Sequence, residues 1–425
     1  MELAELVGLR PVPCAGLLVM LTQRCPLACA HCSTASTMRG TDQDSAQLLR
    51  FVRSFTPTDR PELMLLTGGE PLLRPDLVQE LAEAGRAAGT RTALLSGMFF
   101  ARESRIPERV LRAITATDHF SASIDAFHER EVARADVLRA LRSVLDAGIP
   151  VSLHITGTGP ADPYLAELTA EVRRTFGDGV PMLVNEVRAV GRAAAWAGAG
   201  GVSGVNGVNG VNGPGGVSGP GGVGGMGGVA EGEGVAEPGA SGAAGRPVPC
   251  AMAAWPVIAA DGTVLACCNQ ETVDRRPAPA HLRLGHLAVD DWATVRQRAL
   301  RGPVLRMLRS VGPAHLYTRY GGADGSDGRR AGYCDGCRAL GEHPEVLAGA
   351  ARAGSGPVGE LLDLQAAHAQ TAAGPAALVR RFGCAPYADL VELTPDRTPA
   401  RTPDRTPDRT PDRQAAVPAR AGSRR

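Results

Sequence analysis

The sequence predicts an α/β fold built on a parallel sheet, and two observations support it. Through the first 190 residues of the 425-residue chain, apolar strand-like runs alternate with helical patterns. Unusual polar and glycine-rich sequences follow directly after several of these runs. Strands that alternate with helices pair in parallel through right-handed crossovers. Six strands in this order fit either an open doubly wound sheet or a partial barrel, and both place chemistry at the carboxyl ends of the strands.

The predicted elements follow one another at regular spacing. Strands are predicted over residues 16–21, 62–66, 91–95, 119–124, 150–155 and 181–187. Helices are predicted over residues 42–55, 75–88, 107–114, 130–147 and 163–176. Local signals mark the helix starts, because Asp76 lies in the first turn of the second helix and Pro107 with Glu108 begins the third.

The chain divides into five segments. Residues 1–197 carry the strand–helix alternation. Residues 198–245 are Gly-Val-Asn/Ser repeats that bury too little apolar surface to offset chain entropy, so we expect a flexible linker or insertion. Residues 246–345 predict a small cysteine-rich α+β module held partly by metal ligation. Residues 346–393 predict helices, and the Thr-Pro-Asp-Arg repeats of residues 394–425 predict a disordered tail.

Composition narrows the function classes. The net charge of +1 gives no reason to expect a nucleic-acid or membrane partner. All 45 basic residues are arginine, and the absence of lysine excludes a lysine Schiff base, a pyridoxal phosphate anchor and a P-loop. We find no apolar run of about 18 residues and no secretory signal, so we expect a cytoplasmic location. In a reducing compartment, ten cysteines indicate metal or redox chemistry rather than disulfides.

Three cysteines, Cys25, Cys29 and Cys32, lie within eight residues directly after the first predicted strand. Three thiolates can hold three corners of a 4Fe-4S cluster and leave the fourth iron open to a ligand. A structural zinc site completed by His31 or by a remote cysteine is the alternative. The spacing alone leaves both interpretations open.

A second motif, Gly68-Gly69-Glu70-Pro71, follows the second predicted strand. Glycines allow the backbone to approach a ligand closely. The negative charge of Glu70, together with backbone polar groups at the strand end, can bind an amino group. The alternative is an ordinary strand–helix turn in which Pro71 ends the strand.

The two motifs together resemble those of the radical S-adenosylmethionine (SAM) superfamily. Its Cys-x3-Cys-x2-Cys motif corresponds to Cys25, Cys29 and Cys32, and its Gly-Gly-Glu-Pro motif to residues 68–71. The resemblance covers roughly residues 14–195 and implies a partial (β/α)6 TIM-type barrel. It also implies that S-adenosyl-L-methionine chelates the open iron, and that reductive cleavage yields a 5′-deoxyadenosyl radical that abstracts a hydrogen atom from the substrate.

The resemblance assigns further positions at the strand ends. His31 precedes the third cysteine, where the family usually has an aromatic residue, and its ring is expected near the adenine. Ser96 is expected to touch the cofactor, and Ser123 and Asp125 to lie near the ribose and the methionine carboxylate. For Asp125, a helix N-cap is an equal alternative. His154, which ends the fifth strand, is expected to be structural.

Residues after the sixth strand are further candidates. Glu186 and Arg188 are possible substrate contacts, although half of the side chains at strand ends face away from the cavity. Arg192, in Gly191-Arg192-Ala193, is similar to a turn found after the last strand in many relatives.

A third set of cysteines lies downstream: Cys250, Cys267, Cys334 and Cys337. The pattern Cys-x11-Gly-x4-Cys followed by Cys-x2-Cys resembles the twitch and SPASM extensions of radical SAM enzymes, and matches the one-cluster twitch form. Asp261-Gly262 predicts a hairpin that brings the first two cysteines together. Four thiolates suit an auxiliary 4Fe-4S cluster, and a zinc ribbon is the alternative.

The spare cysteines are Cys14, Cys268 and Cys384. Spare cysteines are mostly small buried apolar residues. Cys268 differs because it adjoins the proposed ligand Cys267. It could exchange with that ligand, or donate a hydrogen atom to a substrate radical, which would make the enzyme an epimerase.

A fully ligated second cluster predicts electron transfer and therefore a net two-electron oxidation. We expect modification of a ribosomally synthesised peptide, with a reductant such as flavodoxin or ferredoxin and a separate leader-peptide-binding protein. The alternatives are oxidation or epimerisation of a small-molecule, carbohydrate-like natural-product intermediate, and a non-catalytic, zinc-binding interaction protein.

Overall fold

The computed structural model describes residues 1–197, 247–321 and 332–394. The predicted linker at residues 198–245 lies outside the described residues, and so do residues 395–425 of the predicted tail.

Six parallel strands form the main sheet, each hydrogen-bonded to the next along the chain. They are β1 (Gly16–Met20), β2 (Leu63–Thr67), β3 (Arg91–Ser96), β4 (His119–Ser123), β5 (Val151–Gly157) and β6 (Met182–Glu186). All six lie where the apolar runs predict them. With the intervening helices they form the (β/α)6 partial TIM-type barrel, so the α/β fold class is confirmed.

Five helices of this half follow the prediction, and a short helix that was not predicted lies at each end of it. They are α1 (Leu3–Gly8), α2 (Ser45–Val52), α3 (Pro75–Ala87), α4 (Glu108–Thr115), α5 (Arg134–Asp146), α6 (Pro163–Phe176) and α7 (Ala194–Ala197). Aspartates cap two of them, because the side chains of Asp44 and Asp162 accept hydrogen bonds from the backbone amides of Gln47 and Tyr164.

Each face of the sheet buries its own apolar cluster. On one face, Leu17 and Val19 of β1 belong to the cluster that includes Leu48 of α2 and Val78 of α3. On the other face, Leu18 belongs to the cluster that includes α1. Alternate strand residues therefore serve opposite faces, and this is why the strands read as continuous apolar runs.

The cysteine-rich segment extends the same sheet. Strand β7 (Val257–Ile258) pairs in parallel with β1, and β8 (Thr263–Leu265) and β9 (Arg283–His286) follow in antiparallel order. The hairpin predicted at Gly262 is present, and this glycine has a φ of +85°. The sequence suggested a small module with its own strands. These strands instead satisfy the backbone groups that β1 would leave unpaired at an open edge.

The C-terminal residues cover the opposite edge of the sheet, at β6. The backbone amide of Cys384 donates to the carbonyl of Val184 (2.9 Å). The remaining helices are α8 (Gln270–Asp274), α9 (Trp292–Arg301), α10 (Pro303–Ser310), α11 (Gly312–Tyr320), α12 (Tyr333–Ala339), α13 (Pro344–Gly354), α14 (Gly356–Ala372) and α15 (Pro375–Phe382). In the ranges that the structure describes, no helix combines the length and the apolar character needed to cross a membrane.

A buried ion pair joins α10 to α14. Arg309 donates from Nε and Nη2 to the two carboxylate oxygens of Asp363, at 2.8 and 2.6 Å. Both side chains are more than nine-tenths buried. One turn away on each helix, Arg306 pairs with Glu360 at 3.0 Å, but the Glu360 side chain is 62% exposed.

We expect Asp363→Ala to lower the free energy of unfolding by about 3–5 kcal/mol, because it leaves the Arg309 guanidinium buried without its counter-ion. The matched substitution Glu360→Ala should cost less than about 1 kcal/mol, because the Glu360 side chain is exposed and Arg306 keeps its bonds to backbone carbonyls. Urea unfolding of the anaerobically prepared chain measures both. Equal effects of the two substitutions would contradict this account.

Candidate cluster and cofactor site

One cleft lies at the carboxyl ends of the strands and encloses about 1190 Å³ of space between protein atoms, part of it open to solvent. Cys25, Cys29 and Cys32 line one wall. The downstream segment lines the other wall, through Met252, Cys268 and other residues. The first cysteine motif and the segment between Cys250 and Val273 therefore share one cavity.

The glycines of the second motif allow its backbone to contact the cysteine loop, which is the segment after β1 that carries Cys25, Cys29 and Cys32. The backbone amide of Gly69 donates to the carbonyl of Thr22 (2.7 Å), and that of Glu70 donates to Arg24 (2.8 Å). A Cβ atom at Gly69 would overlap the Arg24 carbonyl group. Any side chain there would push the two loops apart, so glycine is required for their contact.

Arg192 holds the cysteine loop from the opposite side. Its Nε donates to the carbonyl of Cys29 (2.8 Å), and its Nη1 donates to that of Ser36 (2.7 Å). Its backbone amide donates to the carbonyl of Cys32 (3.0 Å). The turn noted in the sequence after the last strand therefore clamps the backbone of two cysteines.

The three thiols fit a cluster that is held by three protein sulfurs. All three reach the same cleft, and none is in a disulfide. Burial, with the nearby Glu70, raises the pKa of Cys25 to about 12. Such a thiol keeps its proton until a metal displaces it.

The Glu70 side chain does not lie where its position in the Gly-Gly-Glu-Pro motif suggests. Its carboxylate is fully buried and accepts hydrogen bonds from Ser96 Oγ (3.0 Å to each oxygen), the Gly97 amide (2.9 Å) and the Leu72 amide (2.9 Å). Burial raises its pKa to about 7. The side chain thus ties the ends of β2 and β3 together, while Gly68 and Gly69, and not Glu70 or Pro71, line the cleft.

His31 also faces inward. Its ring is fully buried, packs 5.1 Å from the ring of Phe127 and 4.6 Å from that of His128, and is not among the residues lining the cleft. Burial lowers its pKa. The cysteine loop turns the ring toward the residues that follow β4, and the position near the adenine expected from the resemblance stays a prediction.

Asp125 is engaged as a local cap. Its Oδ1 accepts from the amides of Phe127 and His128 (3.0 Å each), and its Oδ2 lies 2.9 Å from His128 Nδ1. The residue is 1% exposed, and its Oδ2 also lies 3.2 Å from His31 Nε2. The ribose contact expected from the resemblance stays a prediction. Of the two roles left open by the sequence, the contacts correspond to the cap.

His128 is the residue that sequence reasoning missed. It lies in the wall of the cleft, and its ligand atom lies within 4.8 Å of the Cys29 sulfur. The available signal was its spacing, three residues after Asp125 and next to a strand end that faces the first motif.

The other strand-end candidates divide between the cleft and its surroundings. Ser96, Ser123 and Arg188 line the cleft. Glu186 is not among the lining residues, and its charge acts on Cys384. His154 is buried with a pKa lowered by burial to about 4, in agreement with a structural role.

The four downstream cysteines come together although Cys250 and Cys337 are far apart in sequence. The pKa of Cys337 is raised well above its ordinary value by burial, then by the charges of Cys250, Cys267 and Cys334. Burial likewise raises the pKa of Cys267 to about 12 and that of Cys334 further. The helix α12 carries the Cys-x2-Cys pair to the end of the hairpin.

Four thiolates suit either a tetrahedral zinc ion or a four-iron cube that carries one thiolate at each iron. The auxiliary cluster at these four cysteines therefore stays a prediction.

The spare cysteines differ in exposure. Cys14 and Cys384 are buried, as expected for small apolar residues. Cys268 lines the cleft, and its sulfur accepts a hydrogen bond from the buried Arg10, which also stacks on Trp255.

The comparisons with known proteins agree with the first two motifs. Residues 19–168 match the profile of the Radical SAM superfamily, so the chain contains a radical SAM domain, the kind that binds a 4Fe-4S cluster and SAM. "PqqA peptide cyclase" of Granulibacter bethesdensis is 29% identical over 152 residues, which are 33% of this chain and 39% of that protein. "Pre-heme d1 synthase" of Dinoroseobacter shibae is 35% identical over 159 residues, 35% of this chain and 38% of that protein.

The chain therefore spans about two fifths of the length of these relatives. The solved structure "Native anSMEcpe with bound AdoMet and Cp18Cys peptide" is 12% identical, with a TM-score of 0.41, and the match covers 79% of this chain and 99% of that one.

We expect Glu70→Gln to change how stability depends on pH. The folded chain holds the Glu70 proton up to a pKa of about 7, against about 4.5 when unfolded, so this group's stabilising contribution is complete below 4.5 and is lost as pH rises through 7. The difference in unfolding free energy, wild type minus Glu70→Gln, should fall by up to roughly 3 kcal/mol between pH 4 and pH 8.

Urea unfolding of the metal-free protein across this range measures the difference. Glu80→Gln, on the exposed face of α3, is the control for loss of a surface carboxylate. A difference that stays flat, or rises with pH, would show that Glu70 is not the buried group described here.

Proposed function

We propose that this chain is a radical SAM enzyme that oxidatively modifies a ribosomally synthesised peptide. Cys25, Cys29 and Cys32 hold the SAM-binding 4Fe-4S cluster, and the four downstream cysteines hold an auxiliary one. The observation that carries the proposal is the shared cleft, whose two walls come from the two cysteine-bearing segments.

The chain's own residues prepare the cleft for a small, amine-bearing cofactor. The backbone of Gly68 and Gly69 lines it beside Cys25 and Cys29, and Ser96 and other polar residues lie at the neighbouring strand ends. Bound there, the cluster and SAM supply a 5′-deoxyadenosyl radical for hydrogen-atom abstraction. The Glu70 carboxylate fixes the loop that approaches the cofactor's amine, and does not itself reach the cleft.

Substrate is proposed to enter from the downstream wall. Met252, Val257 and Val273 make that wall partly apolar and exclude water, and Arg188 contributes a guanidinium. Among the described lining residues there is no carboxylate, so the cleft favours neutral or anionic groups.

The auxiliary site supports net two-electron oxidation. Four cysteines can ligate a cluster fully, which leaves electron transfer as its task. Cys267 is a proposed ligand, and the next residue, Cys268, already lines the cleft. A substrate radical in the cleft would therefore form near a site able to accept its electron.

The peptide class is favoured by the relatives named as PqqA peptide cyclases. The relative named as a pre-heme d1 synthase keeps a small-molecule substrate as the alternative. For that alternative, the sequence analysis expects a carbohydrate-like natural-product intermediate. The proposal also includes a cytoplasmic setting, a flavodoxin or ferredoxin as reductant, and a separate leader-peptide-binding protein.

Epimerisation is the second candidate reaction, and one observation favours it. Cys268 lies in the cleft wall, where its thiol could return a hydrogen atom to a substrate radical. That reaction would be redox-neutral for the substrate and would leave the auxiliary cluster without an electron to accept. The thiyl radical left on Cys268 would return to the thiol by taking up one electron from the flavodoxin or ferredoxin and one proton from solvent.

Changing Cys25, Cys29 and Cys32 together to alanine should abolish SAM cleavage to 5′-deoxyadenosine. The iron content should fall from about eight to about four per chain, because only the auxiliary cluster remains. Anaerobic reconstitution, iron analysis and chromatography of the nucleoside products measure both changes.

Cys14→Ala is the matched control, because it removes a buried cysteine that lies outside both sites. It should keep about eight irons and full SAM cleavage. Cleavage that survives the triple substitution would contradict the site assignment. A colourless wild-type protein with zinc and no iron would favour the non-catalytic interaction protein.

The Cys268→Ala substitution separates oxidation from epimerisation. With peptides encoded by neighbouring genes as substrates in D₂O, oxidation should give a product lighter by two hydrogens with either protein. Epimerisation should give a product of unchanged composition that gains one deuterium with wild type and none with Cys268→Ala. Mass spectrometry of the peptide measures the outcome.

A further inference from the structure

The buried side chains of Asp125, His128 and Cys29 lie next to one another in that order. The three residues are 1%, 4% and 6% exposed. None of the roles described above explains this arrangement, because Asp125 would cap its turn equally well without the imidazole.

Asp125 fixes the His128 ring. Its Oδ2 accepts from His128 Nδ1 at 2.9 Å, and its Oδ1 accepts from the backbone amides of Phe127 and His128. The edge of the ring also packs against His31, with 4.6 Å between ring centres and 87° between ring planes. A ring bonded to Asp125 and packed against His31 cannot rotate without breaking buried contacts.

The remaining ring nitrogen faces the cysteine loop. The ligand atoms of Cys29, His31 and His128 all lie within 4.8 Å of one another, so the His128 imidazole and the Cys29 thiol are direct neighbours. A Cβ added to Gly97 would lie 3.8 Å from His128 Nε2, which places this nitrogen at the end of β3, where the cleft begins.

We propose that His128, oriented by Asp125, donates a hydrogen bond to the Cys29 sulfur of the bound cluster and raises the reduction potential of that cluster. This inference rests on the proposed function. A hydrogen bond to a ligating sulfur withdraws electron density from the cluster, so the extra electron is held more easily. His128 is therefore a positioning residue that acts through Cys29.

A single metal ion bound by Cys29, His31 and His128 is the competing explanation. It would use one of the three clustered cysteines and leave Cys25 and Cys32 in the cleft without a role. The cluster uses all three thiols and leaves the imidazole as their hydrogen-bond donor.

The test is a potentiometric titration of the reconstituted full chain, followed by electron paramagnetic resonance. The signal that changes when SAM is added identifies the relevant cluster. His128→Leu, which removes the donor, should shift its midpoint to lower potential, and His128→Gln, which keeps an N–H donor, should restore part of the shift. His154→Leu removes a buried imidazole outside the cleft and should leave the midpoint unchanged.

A second measurement covers variants that fold poorly. In the wild-type protein, the reduced SAM-sensitive cluster should show a coupled proton that exchanges in D₂O and is absent from His128→Leu. An unchanged midpoint in a His128→Leu protein with full iron, or no exchangeable proton in wild type, would overturn this inference alone. A wild-type chain with zinc at Cys29, His31 and His128, or with no SAM-sensitive cluster, would overturn the proposed function and this inference with it.

Discussion

The close backbone contact between the loops after β1 and β2 is the constraint on which the site depends. The backbone amides of Gly69 and Glu70 donate to carbonyls of the cysteine loop. A Cβ atom at Gly69 would overlap the Arg24 carbonyl of that loop. The Glu70 carboxylate also accepts hydrogen bonds from Ser96 Oγ, which lies at the end of β3. Three successive strand ends are thereby locked together, so the thiols and the glycine backbone keep one geometry relative to each other.

The cleft is completed by residues far away in the chain. The hairpin after Cys250 pairs with β1, the strand that leads into the first cysteine motif. A single edge pairing therefore brings the downstream cysteine-bearing segment to the cleft that the upstream cysteines line. The same pairing covers the edge of β1, which would otherwise be open. It therefore contributes both to the stability of the fold and to the shared cleft.

Buried polar side chains surround the cysteine loop, and several of them bond to it or to one another. Arg192 binds its carbonyl groups, and Asp125 and His128 form a bonded pair beneath it. Such partners make the loop more rigid, because each polar group would be costly to bury alone. His31 and Asp125 are held within this packing, and neither is among the residues that line the cleft.

The sequence by itself determined the strand–helix order, the two motifs of the radical SAM domain and the hairpin at Gly262, because these depend on local periodicity, turn chemistry and spacing. It also identified the four downstream cysteines, although not how they meet. Only the tertiary structure decided that the downstream strands continue the main sheet, that Glu70 ties strand ends together, and that His128 reaches Cys29. Those outcomes depend on which buried groups find partners across the sheet, and such pairings between residues distant in sequence leave no periodic signal along the chain.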